Sequence, residues 1–461
     1  MTFRNLLARC AVGTVLAFAC AWACAGTGRP RPAPVATVTV DAVRAGRVVP
    51  ASYLGFSVEW DSVEPYARRA ALLQLLARFA SSAGPVALRI GGDTADQAWW
   101  DPRGQPRPRI VLQDIAGATL QAVAQLARAL RGPVTLDLNL ALRDPGNALA
   151  LSRAARRWLP RGALETLEIG NEPDLYTHAH TFRVPGHVHR RVRKRQRYGP
   201  RAYGRDVASY LAVLSRGLRP APRLAVAGFA GGSWWPRLPA LLKSWAGRAG
   251  ALSGHLYALP DCHAATPAAS WLMSPAASRG RAESLAALAR IARRTGLPLR
   301  VTELNSAACG GRAGLSDSFA SALWLTDTLF ALLRDGADQA DVHTWDHARY
   351  APFALTRTGV SVRPPLVAMR AFARGAPAAS RLIPVRIASA GTLRGWATLD
   401  AVGTVRLVLI APDAVRARLA AGECRAIWIA TARGQAGREC PRGGVLALPA
   451  RSVAVVTGQR R

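Results

Sequence analysis

Two glutamates follow predicted β-strands at places where they could do chemistry together. Glu172 lies in the run Leu167–Pro173, directly after the predicted strand Leu164–Gly170, and Glu303 ends the predicted strand Pro298–Glu303. Two carboxyl groups that converge on one pocket can cleave a glycosidic bond, because one protonates the leaving oxygen while the other attacks the sugar or activates water. Either glutamate alone could equally be a helix cap or a salt-bridge partner, so the interpretation depends on a fold that joins the two strand ends.

The order of the predicted elements supplies such a fold. Short apolar or β-branched runs alternate eight times with helical segments, which predicts the α/β class and a parallel sheet closed into a (β/α)₈ TIM barrel. Catalytic side chains in these barrels project from the C-terminal strand ends, so Glu172 and Glu303 are expected at one mouth. The predicted strands are Leu54–Val58, Val86–Ile90, Pro133–Asn139, Leu164–Gly170, Arg223–Gly228, Leu252–Tyr257, Pro298–Glu303 and Gln339–Thr344. Predicted helices include Ala67–Ala80, Gln113–Leu130, Val207–Leu218, Glu283–Arg294 and Asp317–Arg334.

A second domain is predicted beyond the barrel. After about residue 376 the chain reads as short strands separated by turns with little helix, which predicts a small C-terminal antiparallel β-sandwich. The expected domains are a barrel over 51–375 and a sandwich over 376–461. Residues 26–50, through the alternating run Val35–Val49, are expected to pair with the sandwich.

The first residues have the order of a secretory signal peptide. Arg4 and Arg9 precede an apolar run, and a small-residue cleavage site ends at Ala25, so residues 1–25 are expected to be removed and the mature protein to be secreted or periplasmic. Lipoprotein anchoring at Cys24 is the less favoured alternative. No later stretch is long and apolar enough to predict a transmembrane segment.

Four cysteines would remain in the exported protein, and they allow three pairings in an oxidising compartment. The favoured pairs are Cys262–Cys309 and Cys424–Cys440, since each falls within one predicted domain. The sequence has neither CxxC spacing nor a Cys/His ligand set, so we predict no metal site and no cofactor.

The composition is strongly basic. Of 461 residues, 61 are Lys or Arg and 28 are Asp or Glu, a formal charge of +33, while 50% are hydrophobic. The apolar content excludes a disordered polyelectrolyte, and the charge favours acidic partners. No nucleic-acid recognition motif accompanies it, so nucleic acid is not the expected partner.

The positive charge is densest in segment 177–205, which carries nine Arg or Lys, four His and no acidic residue. Like charges at this density predict a solvated loop. Contact with an acidic polysaccharide is the second interpretation. Metal binding by His178/His180 or His187/His189 is the third, and no carboxylate accompanies these histidines.

Several motifs together resemble glycoside hydrolase family 79, the β-glucuronidase and heparanase family of retaining (β/α)₈-barrel glycosidases. The resemblance covers most of residues 51–376 and, more faintly, the sandwich; the basic segment 177–205 departs from it. The motifs are Leu88–Asp93, Gly170–Tyr176, Thr302–Ser306 followed by Cys309–Gly311, Ser316–Trp324, His343–Trp345 and Tyr350–Phe353.

The resemblance implies roles for the residues that match. Glu172 would be the acid/base and Glu303 the nucleophile. Asn171 would contact the sugar 2-hydroxyl. The backbone amides of Gly310 and Gly311, helped by Tyr350, would receive a uronate carboxylate.

Four more residues are candidate substrate-binding or orienting groups. His255 and Tyr257, at the end of the sixth strand, are expected to orient Glu303, and Glu59 and Asp93 to hold sugar hydroxyls. The alternatives remain open: the glycine pair as a plain turn, Tyr350 as a rim aromatic, His255 as a core residue, and Glu59 and Asp93 as local caps.

The expected function is a secreted retaining hydrolase that removes terminal β-linked glucuronic acid. One alternative is an endo-acting, heparanase-like hydrolase of acidic polysaccharides. Another is a non-catalytic polyanion-binding protein on the same fold.

Overall fold

The computed structural model describes residues 35–176, 198–388, 391–419 and 423–459. The expected signal peptide, Cys24 and the greater part of the basic segment 177–205 lie outside the described residues. Among the described residues, no helix is both long enough and apolar enough to cross a membrane.

Eight parallel strands close into a barrel, as the sequence predicts. Each strand is hydrogen-bonded to a neighbour on either side, and the last strand pairs with the first. The strands are β2 Leu54–Glu59, β3 Val86–Gly91, β6 Arg131–Leu138, β7 Leu164–Ile169, β8 Arg223–Phe229, β9 Ala251–Leu259, β10 Leu299–Ala307 and β11 Gln339–Thr344.

Helices connect the barrel strands and cover the sheet with their apolar faces. They are α1 Trp60–Ala67, α2 Ala70–Ala83, α3 Gly117–Leu130, α4 Pro145–Trp158, α5 Pro200–Gly217, α6 Leu238–Ser244, α7 Ala269–Leu272, α8 Arg281–Glu283, α9 Ala286–Thr295, α10 Ala320–Asp335 and α11 Pro364–Gly375. Two short strand pairs lie in loops that follow barrel strands. β4 Ala98–Trp100 pairs with β5 Gln113–Ile115 after β3, and β12 Phe353–Leu355 pairs with β13 Val360–Val362 after β11.

The interior of this barrel is polar where many barrels are apolar. Inward-facing side chains such as Ser57, Arg89, Asp137, Glu168 and Thr302 are at most 1% exposed. Buried charges are tolerated only when they are paired and hydrogen-bonded, so these side chains must form one connected network.

Beside the barrel lies a β-sandwich of two sheets, which pack around an apolar core of their own. β1 (Val35–Val40), at the N-terminal end of the described chain, lies in the smaller sheet, antiparallel to β15 (Val385–Ala388) and parallel to β18 (Val415–Leu419). The domain boundaries drawn from the sequence stay a prediction. The strands are β1 Val35–Val40, β14 Arg381–Ile383, β15 Val385–Ala388, β16 Arg394–Leu399, β17 Thr404–Ala411, β18 Val415–Leu419, β19 Glu423–Thr431, β20 Gly434–Arg438, β21 Val445–Leu448 and β22 Ser452–Gln459.

Asp327 of α10 joins the barrel to the sandwich. Its side chain is fully buried and accepts hydrogen bonds from Ser278 Oγ at 2.6 Å, Arg279 Nε at 3.2 Å and Trp396 Nε1 at 2.7 Å. Arg394 of β16 adds an ion pair at 3.2 Å. One carboxylate therefore satisfies donors from both domains.

We expect Asp327→Ala to lower the free energy of unfolding by about 3–5 kcal/mol, because it leaves buried cations unpaired. Urea unfolding followed by circular dichroism measures the change. Asp335→Ala, at the C-terminal end of the same helix, removes a partly exposed pair with Arg334 and should cost less than about 1 kcal/mol. Equal costs for the two variants would contradict the role given to Asp327.

The four cysteines in the described part of the chain form two disulfides. Cys262–Cys309 links the chain after β9 to the chain after β10, and Cys424–Cys440 lies within the sandwich. The first bridge ties together two segments that follow neighbouring barrel strands, beside the strand end that carries Glu303.

Candidate active site

Glu172 and Glu303 lie at the same end of the barrel and face each other. A carboxylate oxygen of each and a ring nitrogen of His255 all lie within 4.8 Å of one another. Barrel closure brings them together, since Glu172 follows β7 and Glu303 lies on β10.

Glu303 is held in a cationic, hydrogen-bonded pocket. Arg89 Nη1 donates to its Oε1 at 3.0 Å, and the Tyr257 hydroxyl donates to its Oε2 at 2.9 Å. Burial alone would raise the pKa of this carboxyl group. Positive charge on His343, His255 and Arg89 outweighs burial and lowers the pKa of Glu303 to about 2. Glu303 is therefore a carboxylate at any physiological pH.

Glu172 has a different environment. Its backbone is left-handed, with φ 45° and ψ 48°, and its N–H donates to the Gly228 carbonyl at 2.8 Å. A non-glycine residue in this conformation costs of order 1 kcal/mol, a strain typical of functional sites. The side chain is 15% exposed, against 5% for Glu303, and its Oε1 lies 2.8 Å from His255 Nδ1.

This contact places His255 differently from the sequence-based expectation. His255 Nδ1 is 3.7 Å from Glu303 Oε2 and 2.8 Å from Glu172 Oε1, so it is hydrogen-bonded to Glu172. Burial would lower the pKa of His255, but the charge of Glu303 and the hydrogen bond to Glu172 raise it. The Tyr257 hydroxyl contacts Glu303, and its role in orienting that side chain stays a prediction.

Arg89, on β3, is the centre of the buried network and was given no role from the sequence. Its side chain is fully buried, and all five of its N–H groups are donated. The acceptors are Glu168 Oε2 at 2.5 Å, Ser57 Oγ at 2.9 Å, Glu303 Oε1 at 3.0 Å, Asp137 Oδ2 at 3.0 Å and Asn171 Oδ1 at 2.9 Å.

Three carboxylates thus share one guanidinium. Burial raises the pKa of Asp137 well above its ordinary value, although Arg89 opposes the shift. For Glu168, the attraction of Arg89 outweighs burial and lowers the pKa. Asp137 and Glu168 therefore compete with Glu303 for the same cation and fix its position under the site.

Glu59 supports His343, a second histidine beside Glu303. Its oxygens accept from the backbone N–H groups of Asp93 and Thr94 at 3.1 and 2.8 Å and from the Thr94 hydroxyl, and they lie 3.2 Å from His343 Nε2. A carboxylate with four partners has no acceptor position left for a sugar hydroxyl. Gly92, at φ +89°, permits this approach, because a Cβ there would lie 2.2 Å from Glu59 Oε1.

Asn171 and Asp93 lie together at the mouth. Asn171 is 3% exposed and its Nδ2 donates to Asp93 Oδ1 at 3.5 Å, while Asp93 itself is exposed. The contact of Asp93 with a sugar hydroxyl stays a prediction.

The glycine pair after β10 forms a turn with one free donor. The Gly311 N–H donates to the Ala308 carbonyl at 3.2 Å, and the Gly310 carbonyl accepts from the Arg349 N–H at 2.7 Å. Within the described residues the Gly310 N–H has no acceptor, so of the two it is the one able to donate to a ligand. Tyr350 packs beside this turn, with its ring centroid 6.2 Å from that of Tyr257.

The described residues that come closest to a metal-ligand arrangement are Glu172, His255 and Glu303 themselves. The Arg89 guanidinium, 3.0 Å from Glu303, would repel a divalent cation bound there. The same geometry suits a pair of carboxyl groups with separate acid and nucleophile roles.

The phenol of Tyr257 helps to keep Glu303 ionised. That hydrogen bond is one of the interactions that lower the pKa of Glu303 to about 2, so we expect Tyr257→Phe to raise the pKa of Glu303. The acidic limb of the profile of kcat/KM against pH should move to higher pH, and kcat should fall about 10–100-fold. Tyr66→Phe removes a buried hydroxyl that has no partner among the described residues and should leave the limb in place. If the acidic limb of Tyr257→Phe did not move, the role of the Tyr257 hydroxyl in keeping Glu303 ionised would be contradicted.

Comparisons with known proteins support the fold. No protein-family model matches the chain, and no curated sequence matches it. A 4-O-α-L-rhamnosyl-β-D-glucuronidase from Fusarium oxysporum 12S, solved with Rha-GlcA, superimposes with a TM-score of 0.73 at 18% identity, over 92% of this chain and 100% of that chain.

Two other solved structures have the same architecture. A GH51 arabinofuranosidase from Xanthomonas axonopodis pv. citri gives a TM-score of 0.68 at 14% identity, over 92% of this chain and 99% of that one. The catalytic domain of GH30 xylanase C from Talaromyces cellulolyticus gives 0.57 at 15% identity, over 92% and 100%. At these identities the likeness shows that the chain has a (β/α)₈ barrel joined to a β-sandwich.

Proposed function

We propose that this protein is a retaining glycoside hydrolase that removes terminal β-linked glucuronic acid. The observation that carries the proposal is the approach of Glu172 and Glu303 to within 4.8 Å, oxygen to oxygen, in contrasting environments. Retaining enzymes hold their two carboxyl groups about 5–5.5 Å apart, whereas inverting enzymes need about 6.5–9.5 Å to admit a water.

In the first step Glu303 acts as the nucleophile. Its carboxylate attacks the anomeric carbon, the bond to the aglycone oxygen breaks, and Glu172 delivers a proton to that oxygen. Arg89 and Tyr257 hold Glu303 ionised and in place before the attack.

In the second step Glu172 acts as a base. It takes a proton from water, the oxygen of that water bonds to the anomeric carbon, and the ester bond to Glu303 breaks. Two inversions leave the product in the β configuration. His255, hydrogen-bonded to Glu172, keeps that side chain aimed at the same point through both steps.

The preference for an acidic sugar is supported by donors at the mouth. Burial and the charge of Glu303 raise the pKa of Tyr350, so its hydroxyl stays protonated and able to donate. The Gly310 N–H is a second donor. Neutral donors can bind a uronate carboxylate without adding a full cation beside the nucleophile. The structural likeness to a solved rhamnosyl-glucuronidase agrees with this preference.

We also propose that the protein works outside the cytosol, secreted or periplasmic. Two disulfides favour an oxidising compartment.

A screen of aryl β-glycosides tests the proposal. We expect turnover of the glucuronide and at least about a hundredfold lower kcat/KM for the glucoside, galactoside and xyloside, because only the glucuronide has a carboxylate to pair with the Tyr350 hydroxyl and the Gly310 N–H. Proton NMR of the first product should show the β anomer. Sizing the products of acidic polysaccharides separates removal of single sugars from internal cleavage. Turnover of none of these substrates would overturn the hydrolase assignment.

A further inference from the structure

The barrel helices carry basic residues where they end. Seven of them have Arg or Lys in the last turn, and none of those seven has an acidic residue in the first turn. Six of them lead back to the start of the next barrel strand, and the seventh, α11, leads into the sandwich at β14. The six C-terminal ends that lead to barrel strands share the side opposite the catalytic mouth.

A group of arginines lies where α4 and α5 end. Arg153 Nη2 donates to the Gly217 carbonyl at 3.1 Å and Arg156 Nη1 to the Arg219 carbonyl at 3.2 Å, so the segments that enter β7 and β8 are neighbours. We call the four exposed arginines on these two segments the basal cluster: Arg157, Arg161, Arg216 and Arg219.

The basal cluster is not neutralised by the described residues. No carboxylate among them lies within 4.0 Å of the four guanidinium groups. The nearby carboxylate of Glu165 is already bound by Arg223 Nη1 at 2.5 Å and by Arg300 Nη2 at 3.1 Å. Four exposed guanidinium groups on adjacent segments therefore have no carboxylate partner among the described residues.

Helix stabilisation does not account for the whole cluster. A cation in the last turn of a helix is favoured by the helix dipole, which explains Arg157 and Arg216. Arg161 and Arg219 follow the ends of α4 and α5, at Trp158 and Gly217, and lie outside the helical turns. Their repulsion from the other two is a cost that an anionic ligand would remove.

We propose that the basal cluster binds an acidic polysaccharide, away from the catalytic mouth. Guanidinium groups pair with carboxylates and sulfates through two parallel hydrogen bonds, which suits a chain of regularly spaced anionic sugars. Trp158 follows Arg157 in the chain and is 41% exposed, so it adds apolar surface next to the basal cluster. The two disulfides favour a compartment in which such polymers, rather than nucleic acids, are the abundant polyanions.

Such binding would act as a tether. A polymer held at the base raises the local concentration of neighbouring acidic chains without occupying the mouth. The inference is independent of the proposed hydrolysis, because binding is measured without turnover.

The test compares two variants of the full chain that remove equal charge. The basal variant is Arg157→Ser, Arg161→Ser, Arg216→Ser and Arg219→Ser. The control variant replaces four exposed arginines of the sandwich by serine: Arg386, Arg416, Arg418 and Arg433. The basic segment 177–197 is the same in both, so its contribution cancels. The probe is polygalacturonate, an α-linked polyuronate that a β-glucuronidase does not cut.

We expect the basal variant to raise the Kd for polygalacturonate at least about tenfold. The slope of log Kd against log salt should fall by about three, because fewer arginine contacts mean that binding releases fewer counterions. The control should change Kd less than about threefold. Circular dichroism and turnover of a small aryl glycoside should match wild type in both.

Equal weakening by the two variants, or no weakening by either, would overturn the proposal. Selective loss of binding to phosphatidylglycerol vesicles or to duplex DNA, with polygalacturonate binding kept, would show that the partner class is wrong.

Discussion

Glu303→Ala should lose at least about 10⁴-fold in kcat/KM toward an aryl β-glucuronide, because no other group can attack the anomeric carbon from that side. The neighbouring carboxylates cannot replace it. Asp137 and Glu168 are bound to Arg89 and fully buried. The measurement is steady-state release of the aryl alcohol, with unfolding curves to confirm that the variant folds.

Azide separates loss of the nucleophile from general damage. In Glu303→Ala the anion fits the space of the missing carboxylate, attacks once and gives the α-glucuronosyl azide. Glu303→Gln fills that space and should not be rescued. A β-azide from Glu303→Ala, or activity near wild type, would contradict the nucleophile assignment.

Much of the fold could be predicted because its patterns are local. The strand Gln339–Thr344 has the bounds predicted from the sequence, and the other seven barrel strands agree within a few residues. β10 extends to Ala307, beyond the expected end at Glu303, because pairing with β9 continues to Leu259. The C-terminal end of β10 is therefore set by pairing with a distant strand, and no local sequence pattern indicates it.

Elements with a weak apolar signal were harder to predict. β18, Val415–Leu419, alternates exposed arginines with small buried residues and gains its place from pairing with β1 and β21. The helix α4 was not predicted individually, although Asp144 caps it and Pro145 begins it. The arginines of α4 interrupt its apolar residues in the sequence, so the periodic pattern of a helix is weak there.

The site divides in the same way. Glu172 and Glu303 could be found because barrel topology alone places their strand ends at one mouth. Arg89 could not be assigned from its position, since nothing local shows that Glu168, Asp137 and Glu303 all point at it. The signal available was chemical: an arginine in a strand whose other residues are apolar must have buried partners.

Glu172→Ala should depend on the leaving group, because Glu172 supplies a proton only where the departing oxygen needs one. With a poorly acidic aglycone we expect kcat/KM to fall about 10²–10⁴-fold. With dinitrophenyl β-glucuronide the first step needs little acid assistance, so the covalent intermediate should accumulate and a burst of dinitrophenol should precede slow turnover. Stopped-flow absorbance measures the burst.

Azide should restore turnover of this variant with the opposite stereochemistry from Glu303→Ala. Here the intermediate still forms on Glu303, and azide attacks it from the side that Glu172 has vacated, which gives the β-glucuronosyl azide. His255→Gln offers a graded comparison, because it removes the contact of 2.8 Å to Glu172 while leaving the carboxyl group. It should weaken activity most for poor leaving groups and should gain nothing from azide. If Glu172→Ala lost activity equally on all aglycones, Glu172 would be a structural residue and the acid/base would have to be sought elsewhere at the mouth.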